Sequence, residues 1–378
     1  MSKIGIFIVL GAIIGFIVGK IFSDFIAEYI VGDNFFIGIL RIYGILALFL
    51  VLYLAHVIVH EAGHLIFGLL TGYSFVSFRI GSLTLIKENG KLKRKKLSIP
   101  GTAGQCLLAP PPIVNGIFKY KLYNYGGALM NLVTSAIAIA LILLLPNMPI
   151  ALDISLGCFA SGGILLGLTN AIPMKIAGVA NDGLNVKSMK KDELGRKSFY
   201  LQLDINAKQS LGMRMREMPA EWFILPEDAD LSNVLVSSVK LLEYYRHIDL
   251  MDFVAAWECL EQFKPIINKL PGMYRNFVYA EQLFLELIHD CRISYIEQIL
   301  TREVKTLLKA AKNEINIKRI AYTYQARYVK DSAATEKCYQ EALKLANNYP
   351  VRAEATTNMM LIEYVKNLSD TFTVQSNQ

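Results

Sequence analysis

The segment His60-Glu61-Ala62-Gly63-His64 sets two imidazoles four residues apart with a carboxylate between them. On a helix, residues four apart lie one above the other on the same face. His60 and His64 can therefore grip one zinc ion while Glu61 projects beside it. A glutamate so placed can take a proton from water acidified by the metal and hand it to a leaving amine. Zinc brings the pKa of such a water to about 7, so the chemistry runs at neutral pH. His56 lies one turn further back on the same face. Successive turns rise by about 5.4 Å, and zinc bonds to imidazole nitrogen are about 2.0–2.1 Å long. Two neighbouring turns can meet that requirement and three cannot, so His56 reads as packing or support.

A catalytic zinc needs a third protein ligand and an open position. The metzincin pattern requires glycine and histidine where this chain has Phe67 and Leu70, which excludes that class. Asp, Glu and His are absent from Leu65 to Lys87, and the next candidates are Glu88, Asp153 and Asp182. Choosing among them depends on the elements that carry them.

Those elements are strongly apolar. Hydrophobic residues make up 53% of the 378 residues and charged residues 19%. A soluble domain carries about 25% charged residues, so the composition argues against an ordinary cytosolic enzyme. It argues equally against disorder, which needs low hydrophobicity and high charge. The excess falls in four runs, Ile4 to Val18, Ile42 to Leu70, Ala128 to Leu145 and Ile154 to Leu168. A bilayer core of about 30 Å takes about 20 apolar residues as a helix, so the runs read as about four transmembrane spans. Gly11, Gly15 and Gly19 stripe one face of the first run. Such a stripe suits close helix contact, or simply reflects glycine's frequency in membrane helices.

Between the second and third runs lie nine basic residues, from Arg79 to Lys121, against the single acid Glu88. The link between the first and second runs carries Asp24, Glu28 and Asp33 with no base between Lys20 and Arg41, and the link between the third and fourth carries Asp153 and no base. The positive-inside rule puts the basic stretch and the amino terminus in the cytosol and the acidic links outside. The chain after the fourth span is then cytosolic. Asp153 falls on the far face and Glu88 beside a solvated turn. Asp182 falls just past the fourth span, on the side of His60 and His64, so topology selects Asp182. Asn170-Ala171-Ile172-Pro173 breaks the fourth helix just before it. Freed backbone groups at membrane depth belong in protein or at a wet cavity.

Within the basic stretch, Phe75 to Ile86 and Leu92 to Ile99 flank Glu88-Asn89-Gly90-Lys91, the pattern of a β-hairpin over about 75–99. Its edge could pair with an extended peptide, or the hairpin could simply cap the membrane domain.

Taken together, His60-Glu61-x-x-His64 in one span, Gly127-Ala128-Leu129-Met130-Asn131 opening the next, and Asn170-x-x-Pro173 followed by Asp182-Gly183 resemble the site-2 protease family of intramembrane zinc metalloproteases. The resemblance covers roughly residues 43–187. It implies a Zn2+ ion held by His60, His64 and Asp182, Glu61 as general base, and cleavage of substrates within or beside the bilayer. It also implies a part for Asn170, and for Asn131, in holding the substrate or the developing oxyanion. Two departures stand out. Ala128 occupies a position where the family usually has proline. Asp182 follows its proline about four residues later than in the family, an insertion near Lys175 to Ala180.

After Lys187 charge rises and long apolar runs stop. Helices are expected at Val234 to His247, Phe253 to Phe263, Phe277 to His289, Ile293 to Asn313, Ile317 to Tyr328 and Thr335 to Asn348. Tyr339-Gln340-Glu341-Ala342-Leu343 resembles the second helix of a tetratricopeptide repeat, a generic helical bundle being the alternative. The five cysteines lie far apart with no CxxC pair, so they form neither a disulfide framework nor a thiolate zinc site.

The expected fold is thus mostly α. A polytopic membrane bundle with a cytosolic hairpin occupies 1–187, and an all-α cytosolic domain 188–378. The expected partners are the lipid bilayer, a membrane protein or peptide substrate, and a protein on the C-terminal domain, with no nucleic acid. Two function classes follow. One is an intramembrane zinc metalloendopeptidase. The other is a membrane-bound scaffold or binding protein whose zinc site is vestigial or structural. A zinc transporter would need further ligands along the spans, and the first, third and fourth runs offer none.

Overall fold

The computed structural model describes residues 35–375, apart from Asn89, Asn115, Ile117, Pro146 and Ala177. The first apolar run and its glycine stripe lie outside the described residues. The described chain is mostly helical with a small antiparallel sheet. Helices α1 (Phe35–Leu70), α2 (Lys121–Leu144) and α3 (Ile150–Ala171) are each long and apolar enough to cross a membrane. Their exposed surfaces carry leucine, isoleucine and valine, as lipid-facing helices require.

Contacts divide the chain into two compact units. One comprises the described residues up to His56 together with Asn131–Leu166. In it, His56 lies against the Phe159 ring, with centroids 4.0 Å apart. Its Nε2 is 2.8 Å from the Phe159 carbonyl and its Nδ1 is 3.3 Å from Asn131 Oδ1. Both ring nitrogens are therefore engaged, consistent with a packing role for His56. The Asn131 carboxamide, one of the two side chains implied for the substrate, faces this histidine.

The other unit comprises Val57–Met130 and Gly167 onward. Its sheet has the order β3-β2-β1-β4, all antiparallel, from β1 (Ser74–Ile80), β2 (Leu83–Glu88), β3 (Lys91–Lys96) and β4 (Gly104–Ala109). The sheet is larger than the expected hairpin. The run Phe75 to Ile86 folds back on itself at Gly81-Ser82 to give two strands, and β4 joins β1 from further along the chain, with a register shift between Phe75 and Ser77. The lysine-rich β3 forms one edge, a charge pattern that discourages pairing with another chain. The apolar β4 forms the other. Glu88 is buried rather than solvated, because Lys93, 2.6 Å away, and Arg352 both pair with its carboxylate.

Beyond α3 the chain makes a small hairpin, β5 (Lys175–Ile176) with β6 (Val179–Ala180). Gly178 supplies the positive φ its turn needs. Then come α4 (Asp182–Lys191) and α5 (Glu193–Ser210). Val186, Met189, Phe199 and Leu203 of these helices join Tyr73, Leu108 and Tyr123 in one apolar core. That core fixes the start of α4 relative to β4 and α2.

The remaining chain is helical: α6 (Val234–Leu250), α7 (Phe253–Glu261), α8 (Gly272–Ile288), α9 (Ile293–Ile299), α10 (Arg302–Ala310), α11 (Ile315–Tyr324), α12 (Ser332–Ala346) and α13 (Arg352–Gln375). The single helix expected from Ile293 to Asn313 is two. The chain breaks at Leu300, and Thr301 starts α10 by accepting a hydrogen bond from the Val304 N–H. At the centre of this region Glu281 is buried and fully engaged. It pairs with Arg319 and accepts hydrogen bonds from Tyr244 and Tyr245 at 2.7 and 3.1 Å.

Candidate metal centre

Three side chains of the second unit, from two helices, converge on one point. His60 and His64 project from α1 and Asp182 from the first turn of α4. His60 Nε2 lies 3.1 Å from His64 Nε2. Asp182 Oδ2 lies 3.2 Å from His60 Nε2 and 3.5 Å from His64 Nε2. Zinc bonds of about 2.0–2.2 Å at tetrahedral angles set neighbouring donors roughly 3.3–3.6 Å apart, close to the spacing here. Asp182 Oδ2 is buried and has no hydrogen-bond donor. A buried carboxylate oxygen within reach of two imidazole nitrogens is a donor set that fits a divalent cation.

The surroundings fix these donors. His64 Nδ1 donates to the Tyr123 carbonyl at 2.7 Å, which turns its Nε2 lone pair toward Asp182. Asn181 caps α4, its Oδ1 accepting from the Leu184 N–H at 2.9 Å and from the Met174 N–H at 3.1 Å. Its Nδ2 donates to the carbonyls of Thr169 and Ile172 at the end of α3, at 2.6 and 2.7 Å. One buried carboxamide thus ties the end of α3, the base of the β5–β6 hairpin and the start of α4 together. The extra residues before Asp182 are taken up by that hairpin. Burial pushes the Asp182 carboxyl up, but the two imidazoles beside it, His64 foremost, outweigh this and hold the group below the usual carboxylate range. Asp182 is thereby kept in the ionised form a metal ligand needs.

Close approach sets the helix spacing. A Cβ at Gly63 would lie 2.3 Å from the Gly126 carbonyl oxygen, so α1 and α2 cross with their backbones in contact. A Cβ at Gly127 would lie 2.6 Å from Cε1 and Nε2 of His60. Gly127→Ala is therefore expected to turn the imidazole aside and weaken zinc binding by roughly tenfold, in the range found for disturbed supporting groups. Competition with a chromophoric chelator measures the loss, and an unchanged far-ultraviolet circular dichroism spectrum shows that the helices persist.

Glu61 is 9% exposed and lies against β4. A Cβ at Gly104 would sit 2.6–2.9 Å from its Cγ, Cδ and Oε1, so only glycine leaves room for the carboxylate there. Arg79 of β1 is buried beneath, and its guanidinium donates to the carbonyls of Gly81 at 2.7 Å and Gly104 at 3.2 Å. Its charge also acts on Glu61. Gly104, Arg79 and Asn181 were not singled out by the sequence, since each matters only through a neighbour distant in the chain. Cys106, two residues along β4, keeps its proton because burial pushes its thiol up. Asn170, at the end of α3, is half-buried, and its carbonyl and that of Ala171 face Gly183 of α4.

A second group among the described residues, Glu243, His247 and Cys259, also brings metal-ligating atoms within reach of one another. There the buried Lys240 ammonium lies 2.6 Å from Glu243 and already supplies its counter-charge. Burial also pushes the Cys259 thiol up to about 12. No family model matches the chain, and neither does any curated protein or solved structure.

Proposed function

We propose that this chain is an intramembrane zinc metalloendopeptidase of the site-2 protease type, acting on membrane-anchored proteins or peptides. The observation that carries the reading is the convergence of His60, His64 and Asp182 with the Glu61 carboxylate beside them and an open strand edge next to it. Zinc bound there supplies Lewis-acid polarisation of a carbonyl and lowers the pKa of water to about 7. Glu61 accepts the proton of the attacking water and returns it to the leaving amine. Its tight seat against Gly104 restricts where its oxygens can point. Arg79, which among the described residues forms no ion pair, steadies the negative charge of Glu61 through the protein.

The strand edge suggests how substrate is held. β4 pairs with β1 on one side and with no other strand among the described residues. An extended segment added along its free edge would run past Gly104 and therefore past Glu61. A transmembrane helix must unwind to present such a segment. In this reading the amino terminus, the sheet and the helices after α3 lie on the cytosolic side, as the basic stretch favours. The first apolar run adds a fourth crossing. The helices from α6 to α13 have uneven lengths, which favours an irregular bundle over a regular tetratricopeptide array.

The alternative, a membrane-bound scaffold, finds its support in Ala128 and in the longer Pro173-to-Asp182 spacing. The β5–β6 hairpin absorbs that spacing without drawing Asp182 away from the histidines, which supports the enzymatic reading. Purified chain in liposomes, loaded with zinc, is expected to cleave a membrane-anchored reporter, and chelation to stop it. Failure of the zinc-loaded protein to cleave any of a panel of single-span reporters would count against a protease.

A further inference from the structure

A cavity of about 350 Å³ lies among α5, α6, α8, α11 and α13, remote in sequence from the metal ligands. Its charges do not balance. Asp249 is satisfied by Arg214, by the Arg216 N–H at 3.0 Å and by the Thr357 hydroxyl at 2.6 Å. Arg319 spends its charge on Glu281 and lies over the Phe284 ring at 3.9 Å. Glu314 and Glu354 both line the cavity, and among the described residues neither forms an ion pair. Glu314 Oε1 is buried with no donor. A separate observation points the same way. Asn358 is 5% exposed and lines the cavity. Its Nδ2 donates to the Glu354 carbonyl at 2.8 Å, and its Oδ1 has no partner. The unmet acceptors on this wall, Glu314 Oε1 and Asn358 Oδ1, outnumber its one unmet donor, Nε of the Arg319 whose charge is already met by Glu281, so the partner they lack is a donor with positive charge.

The partner is not a bare metal ion. Among the described residues these carboxylates do not belong to a group converging as closely as the histidine–aspartate site does. Tyr245, Tyr274, Phe277 and Met273 give the wall an apolar and aromatic part, beside the amides of Asn206, Gln209 and Asn316. A cation on a carbon stem suits such a wall, its head on the carboxylates and its stem on the rings. We propose that this cavity binds a guanidinium or ammonium group on a short apolar stem. A second cavity of about 230 Å³ shares Phe277, Glu314 and Glu354 with the first and reaches Gln105 and Leu107 of β4. A basic side chain of a peptide lying along β4 is therefore one source of the group, an assignment that rests on the protease reading; a free small amine is the other.

The titration of the wall supplies a signature. Burial and the neighbouring Glu314 push Glu354 up to about 8, and burial pushes Glu314 up to about 7. The groups acting on Glu354 are Glu314, Glu281, Arg319, Tyr245 and Tyr349. With no cation bound, the native state holds more protons than the unfolded chain between the ordinary carboxyl pKa and these raised values. Its stability therefore falls as pH rises through that window. A bound cation selects the ionised carboxylates, so affinity should rise by about tenfold or more from pH 6 to pH 8.5 and binding should release protons.

The test uses the full zinc-loaded chain in detergent, titrated calorimetrically with agmatine and with acetyl-Ala-Arg-Ala-amide. Saturable binding at pH 8.5, weaker at pH 6 and at least about tenfold weaker in both Glu354→Gln and Glu314→Gln, is the expected result. Glu61→Gln should bind as tightly as the wild type whether or not the chain proves to be a protease. The two single variants guard against misfolding of either. Tighter binding of the tripeptide assigns the cavity to a peptide residue, and equal binding to a free amine. Absence of saturable binding of both probes, or unchanged binding in both glutamine variants, would overturn the proposal.

Discussion

Glu61→Gln is expected to retain its zinc and to cleave a membrane-anchored reporter about a thousand-fold more slowly, because general acid–base catalysis contributes roughly 10²–10⁴. Glutamine matches glutamate in shape and keeps the packing against Gly104. It cannot accept the proton of the attacking water or deliver one to the amine. The proposed metal donors are His60, His64 and Asp182, so zinc content should not change. Measuring zinc and cleavage on the same preparation separates a lost base from a lost metal. Undiminished cleavage would remove Glu61 from the mechanism.

Asp182→Ala is expected to weaken zinc binding by more than about 100-fold, since disturbing groups that merely support a ligand already costs 10–100-fold. The helix it starts should survive. Asn181, and not Asp182, caps α4 and ties it to α3. The apolar core holding Val186 and Met189 is untouched by the change. A histidine pair alone would still bind zinc weakly, so the comparison requires a competing chelator rather than zinc content after purification. Normal affinity in this variant would mean that the third ligand is another residue.

The histidine pair and Glu61 are legible in the sequence because helical geometry turns a spacing of four into a shared face. The choice of Asp182 over Glu88 and Asp153 comes from the distribution of charge along the chain, and Asp182 does lie beside the two histidines. Glu88 shows the limit of that reasoning. Its turn reads as solvated, yet Arg352, more than 250 residues away, closes over it. β4 is hidden for a similar reason. Gly104-Gln105-Cys106-Leu107-Leu108-Ala109 is a short run between turns, and its strand character comes from pairing with β1. The tight fits at Gly104 and Gly127 are not legible in the sequence because each is required by a side chain on another element, Glu61 and His60. Asn181 reads as an ordinary turn residue, whereas its four hydrogen bonds set the position of its neighbour. The break at Leu300 escaped for a simpler reason. Apolar periodicity runs through it, and the capping threonine is the only local signal.

The account stands on one ion held by two imidazoles of α1 and one carboxylate of α4. Zinc K-edge X-ray absorption of the full chain measures that directly. The expected nearest-neighbour shell contains nitrogen and oxygen only, at about 2.0–2.2 Å, with the multiple-scattering pattern of two imidazoles. A sulfur shell at about 2.3 Å, or a spectrum identical in the wild type and in Asp182→Ala, would contradict it.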